Sequence, residues 1–234
     1  MGLGVMKGDV FHILNRGVEK RAIFYNEKDR LRFIYGLYDF NDANYAFPYP
    51  YRCKTRSLGH ATSEWIGRER KELVDLLCWV AMPNHSHNLI QEKIDGGGSI
   101  FSKKIFGGHT KYINEKYQRS GVLFQGRSKI IKVERDPHFF YLPFYILANP
   151  IKLIEPHWKE RGIRNMKKAV DFLENYPWSS FLDVIGKENF PLLVNKDLFY
   201  EIFQTSEKKF KKEFFEWLES YTGTPLGRAT SKYS

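Results

Sequence analysis

The chain has 234 residues, and 42% of them are hydrophobic, which is enough to form one main domain with an appendage or two small domains. Its two cysteines, Cys53 and Cys78, exclude a disulfide framework and disfavour a thiolate zinc site. No apolar run approaches the roughly 18 residues that span a membrane. The first residues lack the apolar core and cleavage site of a signal peptide, so we expect a cytoplasmic protein with no membrane partner.

The charge and the aromatic content point to a polyanionic partner. Lys and Arg total 37 against 27 Asp and Glu, which gives a formal net charge of +10, and aromatic residues make up 16% of the chain. Cationic side chains neutralise phosphates, and aromatic faces stack on unpaired bases. This composition favours single-stranded nucleic acid as a partner, although other basic proteins share the charge alone.

The first part of the chain alternates strand and helix signals. Residues 10–16 indicate a strand ended by Gly17, and Asn26 is expected to cap a helix that continues to about residue 40. Residues from about 41 to 72, rich in proline, aromatic and basic residues, are interpreted as an insertion with a short helix near 64–71.

A hairpin and a helix are predicted next. The apolar run over residues 74–82 indicates a buried strand, which turns at Pro83-Asn84 into a second strand over residues 85–91. Ser99 is expected to cap a helix that continues to about residue 117 and is weakened in its middle by Gly107-Gly108.

The remaining elements are one short strand and several helices. The strand is predicted over residues 130–133, and Asp136-Pro137 indicates the start of a helix that Asn149-Pro150 ends. The chain from about residue 156 is expected to be helical. Its last amphipathic segment, residues 208–221, has an apolar face that predicts core packing or a partner surface.

The order of these elements predicts an α+β fold. The first six elements spell β-α-β-β-α-β, the arrangement of a ferredoxin-like (RRM-like) sandwich with an antiparallel sheet. We expect a first domain over residues 1–155, with the insertion at about 41–72 and the helix that contains Tyr145. A helical C-terminal extension is expected over residues 156–234.

Two residue pairs could carry chemistry. His85 and His87 are two apart on a predicted strand, so both imidazoles lie on one sheet face and could bind one divalent metal. Two hydrogen-bonded surface histidines would have the same spacing. Tyr145 and Asn149 share a face of a predicted helix, which would place a phenol beside an amide oxygen. Tyr145 could equally be a packing aromatic, so spacing alone leaves both alternatives open.

Five ordered motifs resemble those of single-tyrosine HUH transposases. They are NRG at 15–17, MPNHSH at 82–87, LFQGRSK at 123–129, YILANP at 145–150 and YPWSS at 176–180. The last of these is similar to a motif of the REP-associated branch of that family. The resemblance implies a transposase that cleaves and rejoins single-stranded DNA, with a DNA hairpin as its substrate.

The resemblance also implies a role for each candidate site residue. His85 and His87 would bind Mg²⁺ or Mn²⁺, with Asn149 as a third ligand, and the metal would polarise the scissile phosphate. Imidazole is softer than the ligands Mg²⁺ prefers, so Mn²⁺ is expected to bind better. Tyr145 would attack phosphorus and keep the 5′ end as a phosphotyrosine, releasing a 3′ hydroxyl. A free phenol ionises at about pH 10, so the nucleophile would need a nearby metal or cation.

Three residues depart from the pattern of that family. Ser86 and Asn88 stand where the family has apolar residues, and both would weaken the core side of the strand unless hydrogen-bonded. Pro143 is expected to kink the helix that carries Tyr145, which would either aim the phenol or mark a decayed copy. The insertion is also longer than the resemblance predicts.

Basic residues near the motifs predict the path of the DNA. One group follows the first strand and the other flanks the fourth, and together they are Arg16, Lys20, Arg21, Arg127, Lys129 and Lys132. The insertion interleaves aromatic and basic residues, which suits either base stacking or loop packing. These residues are Tyr45, Phe47, Tyr49 and Tyr51 with Arg52, Lys54 and Arg56.

Two other functions are compatible with the sequence. A non-catalytic single-stranded nucleic-acid-binding protein with a ferredoxin-like fold would need neither metal nor nucleophile. A metal-dependent phosphodiesterase would use the histidines and water, and Tyr145 would be structural. The sequence leaves monomer and homodimer both open.

Overall fold

A computed structural model describes residues 8–44, 70–134 and 139–221. These residues form two compact units. We call the first the sheet unit, and it comprises the described residues of 8–76 and residues 83–132. We call the second the helical unit, and it comprises residues 77–82 and the described residues from 133 to 221. The domain boundary predicted at residue 155 stays a prediction.

Four strands form one sheet. They are β1 (Val10–Arg16), β2 (Val74–Met82), β3 (His85–Glu92) and β4 (Lys129–Lys132), in the order β2-β3-β1-β4. The central strand β1 pairs antiparallel with both β3 and β4. The predicted strands are therefore present with ends within one residue of the predicted ones, and β2 is buried along almost its whole length, as its apolar sequence predicts.

Helix α1 (Glu27–Asp39) follows β1, and its start is fixed by the predicted cap. The Asn26 side chain accepts a hydrogen bond from the backbone N–H of Asp29, and the Asp29 carboxylate accepts one from the backbone N–H of Asn26. This reciprocal pair satisfies two backbone donors that have no partner inside the helix.

Helix α2 (Gly97–Lys116) follows β3, and here the predicted cap is wrong. Ser99 lies inside the first turn, because the helix begins at Gly97 after Gly96, whose φ is +69°. The Glu92 carboxylate accepts a hydrogen bond from the Gly98 backbone N–H at 2.8 Å. A carboxylate from the end of the preceding strand thus takes the place of a capping side chain.

Helix α2 continues through Gly107 and Gly108, so the two glycines predicted to weaken its middle do not interrupt it. A Cβ atom on Gly108 would lie 2.6 Å from the ring of Phe40, directly after α1. The missing side chain therefore permits close approach of an aromatic ring, and this contact offsets the low helix propensity of glycine.

The helical unit confirms the predicted helical character up to residue 221. A 3-10 turn over Phe139–Tyr141 leads into α3, and a second 3-10 turn over Asn149–Leu153 follows it. The helices are α3 (Leu142–Ala148), α4 (Trp158–Arg161), α5 (Met166–Glu174), α6 (Phe181–Val184), α7 (Lys196–Ile202) and α8 (Glu207–Glu219). Phe210, Phe214 and Leu218 of α8 are buried, so the predicted apolar face packs in the core.

The expected kink at Pro143 is wrong. Pro143 is the second residue of α3, where the backbone nitrogen has no partner inside the helix to lose. The predicted helix start at Asp136-Pro137 lies outside the described residues, as do Cys53 and the insertion residues from 45 to 69 with the short helix predicted there. None of the helices in the described ranges combines the length and apolar content needed to cross a membrane.

Candidate active site

Two buried histidines stand side by side on β3. The ring centroids of His85 and His87 are 5.0 Å apart, and their planes are close to perpendicular. The exposed fractions of these residues are only 8% and 4%. Alternation along the strand brings both imidazoles to one face of the sheet, where their nitrogens could approach one ligand.

Each of these histidines has a polar partner on its Nδ1 atom. The Nδ1 atom of His85 donates a hydrogen bond to the Asn84 side-chain oxygen at 2.6 Å, which puts the lone pair of the neutral ring on Nε2. The Nδ1 atom of His87 lies 2.8 Å from Nε2 of His12. In the tautomer in which His87 donates to His12, its lone pair is also on Nε2.

His12 is a site residue that the sequence analysis missed. It is fully buried on β1, and burial lowers its pKa to about 4, so its ring is neutral at physiological pH. A neutral ring can accept the hydrogen bond from His87 and thereby fix the orientation of that ring. Only the register of β1 against β3 brings the two together, because His12 and His87 are 75 residues apart in sequence.

The orientation of the two imidazoles is compatible with metal binding. Metal-binding imidazoles are commonly oriented by a second hydrogen bond to a carbonyl or another polar group, which is the arrangement of His85 with Asn84. Among the described residues, no group of three or more His, Cys, Asp and Glu side chains is placed to hold one metal ion.

Three of the five motifs meet at one end of the sheet unit. Arg16 pairs with His85 in the register of β1 and β3, and its carbonyl accepts a hydrogen bond from the Gln125 backbone at 2.8 Å. The Gly17 backbone N–H donates to the Asn84 carbonyl at 2.8 Å. A Cβ atom on Gly17 would lie 2.2 Å from the Arg21 carbonyl oxygen, so this close approach requires glycine.

The turn that carries two of the predicted DNA contacts is strained. Glu19 and Lys20 have backbone φ values of +54° and +60°, which residues other than glycine rarely adopt. The Asn84 side chain donates a hydrogen bond to the Lys20 carbonyl at 3.0 Å and holds the turn against the start of β3. Strain of this kind is often found at functional sites.

A groove with a volume of about 620 Å³ lies on the sheet unit beside this turn. Asn15 lines it and donates hydrogen bonds to the Ser128 hydroxyl and the Gly126 carbonyl. Its other lining residues include Lys103, Phe106, Phe124 and Arg127. The groove therefore combines aromatic walls with cations at its rim.

The structure places all six predicted DNA contacts in the sheet unit with exposed side chains. Arg21 forms an ion pair with Glu19, and Lys132 forms one with Asp9 at 2.6 Å. No ion pair to a described residue is found for the remaining four, which are Arg16, Lys20, Arg127 and Lys129. Because exposed ion pairs are weak, the two paired side chains remain able to bind phosphate.

Tyr145 and Asn149 lie one helical turn apart in the helical unit, as their spacing predicts. The exposed fraction of Tyr145 is 8% and that of Asn149 is 4%. The Asn149 side-chain nitrogen donates to the Tyr145 carbonyl at 2.9 Å, so the amide oxygen is the atom of this side chain that could bind a metal. Tyr141, the other tyrosine of this segment, is 51% exposed.

Lys159 is a second residue that the sequence analysis missed. Its Nζ atom stands 3.6 Å from the centroid of the Tyr145 ring. Burial and, to a smaller extent, the charge of Lys152 lower its pKa from 10.5 to about 7. No sequence signal marks this contact, because a lysine in a four-residue helix normally points into solvent.

The two polar departures on β3 are buried. Ser86 and Asn88 have exposed fractions of 0% and 1%, and neither side chain finds a hydrogen-bond partner among the described residues. The expected weakening of this side of the strand therefore applies, at about 1–3 kcal/mol for each unsatisfied group. Both residues alternate with the histidines, so they lie on the opposite face of the sheet.

The YPWSS motif has a structural role in the helical unit. The Trp178 carbonyl accepts a hydrogen bond from the Ala81 backbone, and the Tyr176 hydroxyl donates to the Ala81 carbonyl, both at 2.9 Å. The Ser180 hydroxyl accepts a bond from the Trp79 backbone. The motif therefore satisfies backbone groups along the last residues of β2.

Comparison with family models and with curated proteins finds no match to this sequence. Among solved structures, the chain is similar to one described as "Structure of the REP associates tyrosine transposase bound to a REP hairpin". The TM-score is 0.46 and the sequence identity is 14%, over 82% of this chain and 87% of that chain. A similarity of this size concerns the fold and does not indicate which residues act in this chain.

Proposed function

We propose that this protein cleaves and rejoins single-stranded DNA through a transient bond between Tyr145 and a DNA 5′ phosphate. The observation that carries the proposal is the pair of buried imidazoles on β3, with ring centroids 5.0 Å apart and each Nδ1 atom next to a polar partner. Metal-binding imidazoles are commonly oriented by a hydrogen bond on the nitrogen that does not bind the metal, and both rings have a polar partner on Nδ1.

Within this proposal, His85, His87 and Asn149 are the ligands of one Mg²⁺ or Mn²⁺ ion. When bound, the metal would supply Lewis-acid polarisation of the scissile phosphate. His12 keeps the His87 ring in place, since it is neutral and buried. Asn84 does the same for His85 and also holds the turn at Lys20.

The tyrosine is the nucleophile of the proposed reaction. The Tyr145 oxygen loses its proton to solvent and forms a bond to phosphorus, while the bond from phosphorus to the 3′ oxygen breaks and that oxygen takes up a proton. Attack of a 3′ hydroxyl on the phosphotyrosine reverses these changes and rejoins a strand. Neither direction needs water or a nucleotide cofactor as a reactant, because the ester retains the bond energy.

The exposed cations of the sheet unit are the proposed DNA contacts. Arg16 and Lys20 lie at the strained turn, and Arg127 lies at the rim of the groove lined by Phe106 and Phe124. Aromatic walls suit an unpaired base, and cations suit the backbone around it. A hairpin with an unpaired flank is therefore the proposed substrate.

We also propose that the sheet is ferredoxin-like, since its helices follow β1 and β3 and its strand order is β2-β3-β1-β4.

The proposal is tested by incubating the protein with hairpin oligonucleotides and Mn²⁺ and separating the products on a denaturing gel. We expect a covalent adduct, and mass spectrometry of the digest should place the nucleotide on the peptide that contains Tyr145. Tyr145→Phe removes one oxygen and keeps the ring, so it should abolish the adduct with little change in DNA affinity.

Tyr141→Phe is the matched control and should leave the adduct intact. A label on Tyr141, or an adduct in Tyr145→Phe, would show that the nucleophile is assigned wrongly. Cleavage with multiple turnover and no adduct would instead indicate a phosphodiesterase that uses water. Hairpin binding without cleavage in any metal would indicate a non-catalytic binding protein.

A further inference from the structure

The basic residues of the helical unit are unevenly distributed along the chain. Residues 152–168 contain six lysines and arginines and two glutamates, whereas residues 169–221 contain six basic and ten acidic residues. The later segment therefore has a net negative charge, and the earlier segment has a local excess of positive charge. A region with charges of one sign attracts ligands of the opposite sign.

The cations of the earlier segment face solvent without a balancing carboxylate. Five of them are exposed, and together they form what we call the basic patch: Lys152, Arg161, Arg164, Lys167 and Lys168. None of the five forms an ion pair with a residue of the described ranges. The ion pairs of the described part of the helical unit lie instead at Lys187 and within helix α8.

The local structure does not neutralise the basic patch either. Both carboxylate oxygens of Glu155 accept backbone hydrogen bonds, from the N–H of Arg164 at 2.9 Å and from that of Asn165 at 3.3 Å. The first turn of α5, which contains Lys167 and Lys168, has no acidic residue. Cations at the N-terminal end of a helix are repelled by its dipole, so stability of α5 does not explain the two lysines.

The elements that carry the basic patch pack around Tyr145. Lys152 lies in the 3-10 turn directly after α3, the helix of Tyr145, and α5 packs against this turn. Helix α4, which ends at Arg161, contacts the tyrosine through Lys159, whose Nζ atom lies 3.6 Å from the ring centroid. A DNA strand attached to the Tyr145 oxygen would therefore leave the helical unit beside these cations.

We propose that the basic patch binds the backbone of the single-stranded DNA segment that begins at the phosphate joined to Tyr145. The inference rests on the proposed function, which makes Tyr145 the nucleophile. Lysine and arginine neutralise successive phosphates of a strand without reading its bases. The ester alone leaves the attached strand free to rotate, and the further phosphate contacts hold it in position for the attack that rejoins it.

The first test measures binding without metal, so it does not depend on cleavage. The probe is a fluorescent oligothymidylate, and the patch variant carries Arg161→Ala, Arg164→Ala and Lys167→Ala on three exposed side chains. We expect its affinity in about 0.1 M salt to fall by about tenfold or more. The slope of log affinity against log salt concentration should decrease by about 2, since each phosphate contact to a single strand contributes about 0.7.

The matched control removes the same charge from the same unit. It carries substitutions of three exposed lysines of α8, which are Lys208→Ala, Lys209→Ala and Lys212→Ala. We expect its affinity for oligothymidylate to stay within about twofold of the wild type, because these lysines lie among the glutamates of α8. A blunt DNA duplex is the second probe, and the patch variant should lose less affinity for it than for the single strand.

A second test identifies the bound strand. The covalent adduct is digested with a nuclease specific for single strands, and mass spectrometry measures the DNA that remains on the protein. We expect several protected nucleotides in the wild type and in the α8 control, and fewer in the patch variant.

Equal losses of affinity in the patch variant and the α8 control would overturn the inference, because net charge alone would then explain them. An equal loss for the blunt duplex, or equal protection of the adduct in the wild type and the patch variant, would also overturn it. Absence of an adduct in every variant would overturn the proposed function, whereas binding of oligothymidylate would still decide whether the basic patch binds single strands.

Discussion

Two lysines of this protein stand over tyrosine rings in opposite electrostatic settings. In the sheet unit, Lys116 lies 5.3 Å from the ring centroid of Tyr112 and 5.1 Å from that of Tyr117, and it forms an ion pair with Asp29. In the helical unit, Lys159 lies over Tyr145, and no ion pair balances it within the described ranges. Burial would lower the pKa of Lys116, but Asp29 and Tyr117 raise it overall, whereas burial lowers the pKa of Lys159 to about 7.

A second group of residues forms a hydrogen-bonded network that we call the Asp29 cluster, and it comprises Asp29, Tyr112, Lys116 and Tyr117. The fully buried Asp29 carboxylate accepts hydrogen bonds from both tyrosine hydroxyls, from Lys116 and from the backbone at Tyr25. Its donors and acceptors are matched inside the fold, and no reactive group is left with an unbalanced charge. Such a network stabilises one conformation of the loop before α1 and the end of α2.

In the Lys159–Tyr145 contact, by contrast, no carboxylate of the described ranges forms an ion pair with Lys159. The difference teaches that a lysine over a tyrosine ring is part of a matched hydrogen-bonded network only where a buried carboxylate joins the two. Variants of the candidate active site should therefore lose chemistry with modest effects on stability, and variants of the Asp29 cluster should do the reverse.

The largest effect is expected at the histidines. A variant with both His85→Ala and His87→Ala should lose metal-dependent cleavage, because the two imidazoles are the proposed metal ligands. Hairpin binding without metal should largely survive, since the phosphate contacts are Lys and Arg side chains elsewhere. Gel assays of cleavage and binding on the same preparation test this. Normal cleavage by the double variant would remove the proposed metal site from consideration.

The next effect is on stability, at Asp29. Asp29→Asn leaves a backbone N–H at Tyr25 or Asn26 facing an amide nitrogen and removes the charge that balances Lys116. We expect a loss of about 2–4 kcal/mol in the free energy of unfolding. Denaturant titration measures it, and adduct formation by the folded variant should match the wild type. A variant as stable as the wild type would mean that the hydrogen bonds and the ion pair of Asp29 do not stabilise the fold.

Acidic pH should lower the stability of the wild type through the Asp29 carboxylate. Burial would raise the pKa of Asp29, but hydrogen bonds from Lys116, Tyr117 and Tyr112 lower it overall. A lowered folded-state pKa contributes stability that is complete above the unfolded value of about 3.9 and is lost as pH falls through the folded value. Denaturant titrations between pH 7 and pH 3 measure the free energy of unfolding of the wild type and of Asp29→Asn. The difference between the two values should decrease only at the acid end of this range.

The smallest effect is expected at Lys116, because its ammonium is partly exposed. Lys116→Met should lower the free energy of unfolding by about 1 kcal/mol, since water can replace part of the lost interaction with Asp29. Adduct formation should be unchanged, because Lys116 belongs to the Asp29 cluster and is not one of the proposed site residues. A lower rate of adduct formation by the folded variant would show that the Asp29 cluster also affects the chemistry.

Local sequence patterns were sufficient for most of the elements. The apolar run of β2, the hairpin turn at Pro83-Asn84 and the capping pair of Asn26 and Asp29 each depend on residues close in sequence, so periodicity and capping rules find them. The same holds for the shared face of His85 and His87 and for the spacing of Tyr145 and Asn149, because both follow from the period of one strand or one helix.

The tertiary structure decided what those residues meet. His12 reaches His87 only through the register of β1 against β3, and Gly108 makes room for Phe40, which lies directly after another helix, α1. Pro143 proved harmless because its helix begins at Leu142, and Lys159 reaches Tyr145 only through the packing of α4. Periodicity along the chain fixes which face a side chain occupies, but its partners, its burial and hence its pKa depend on segments distant in sequence, whose approach no local pattern encodes.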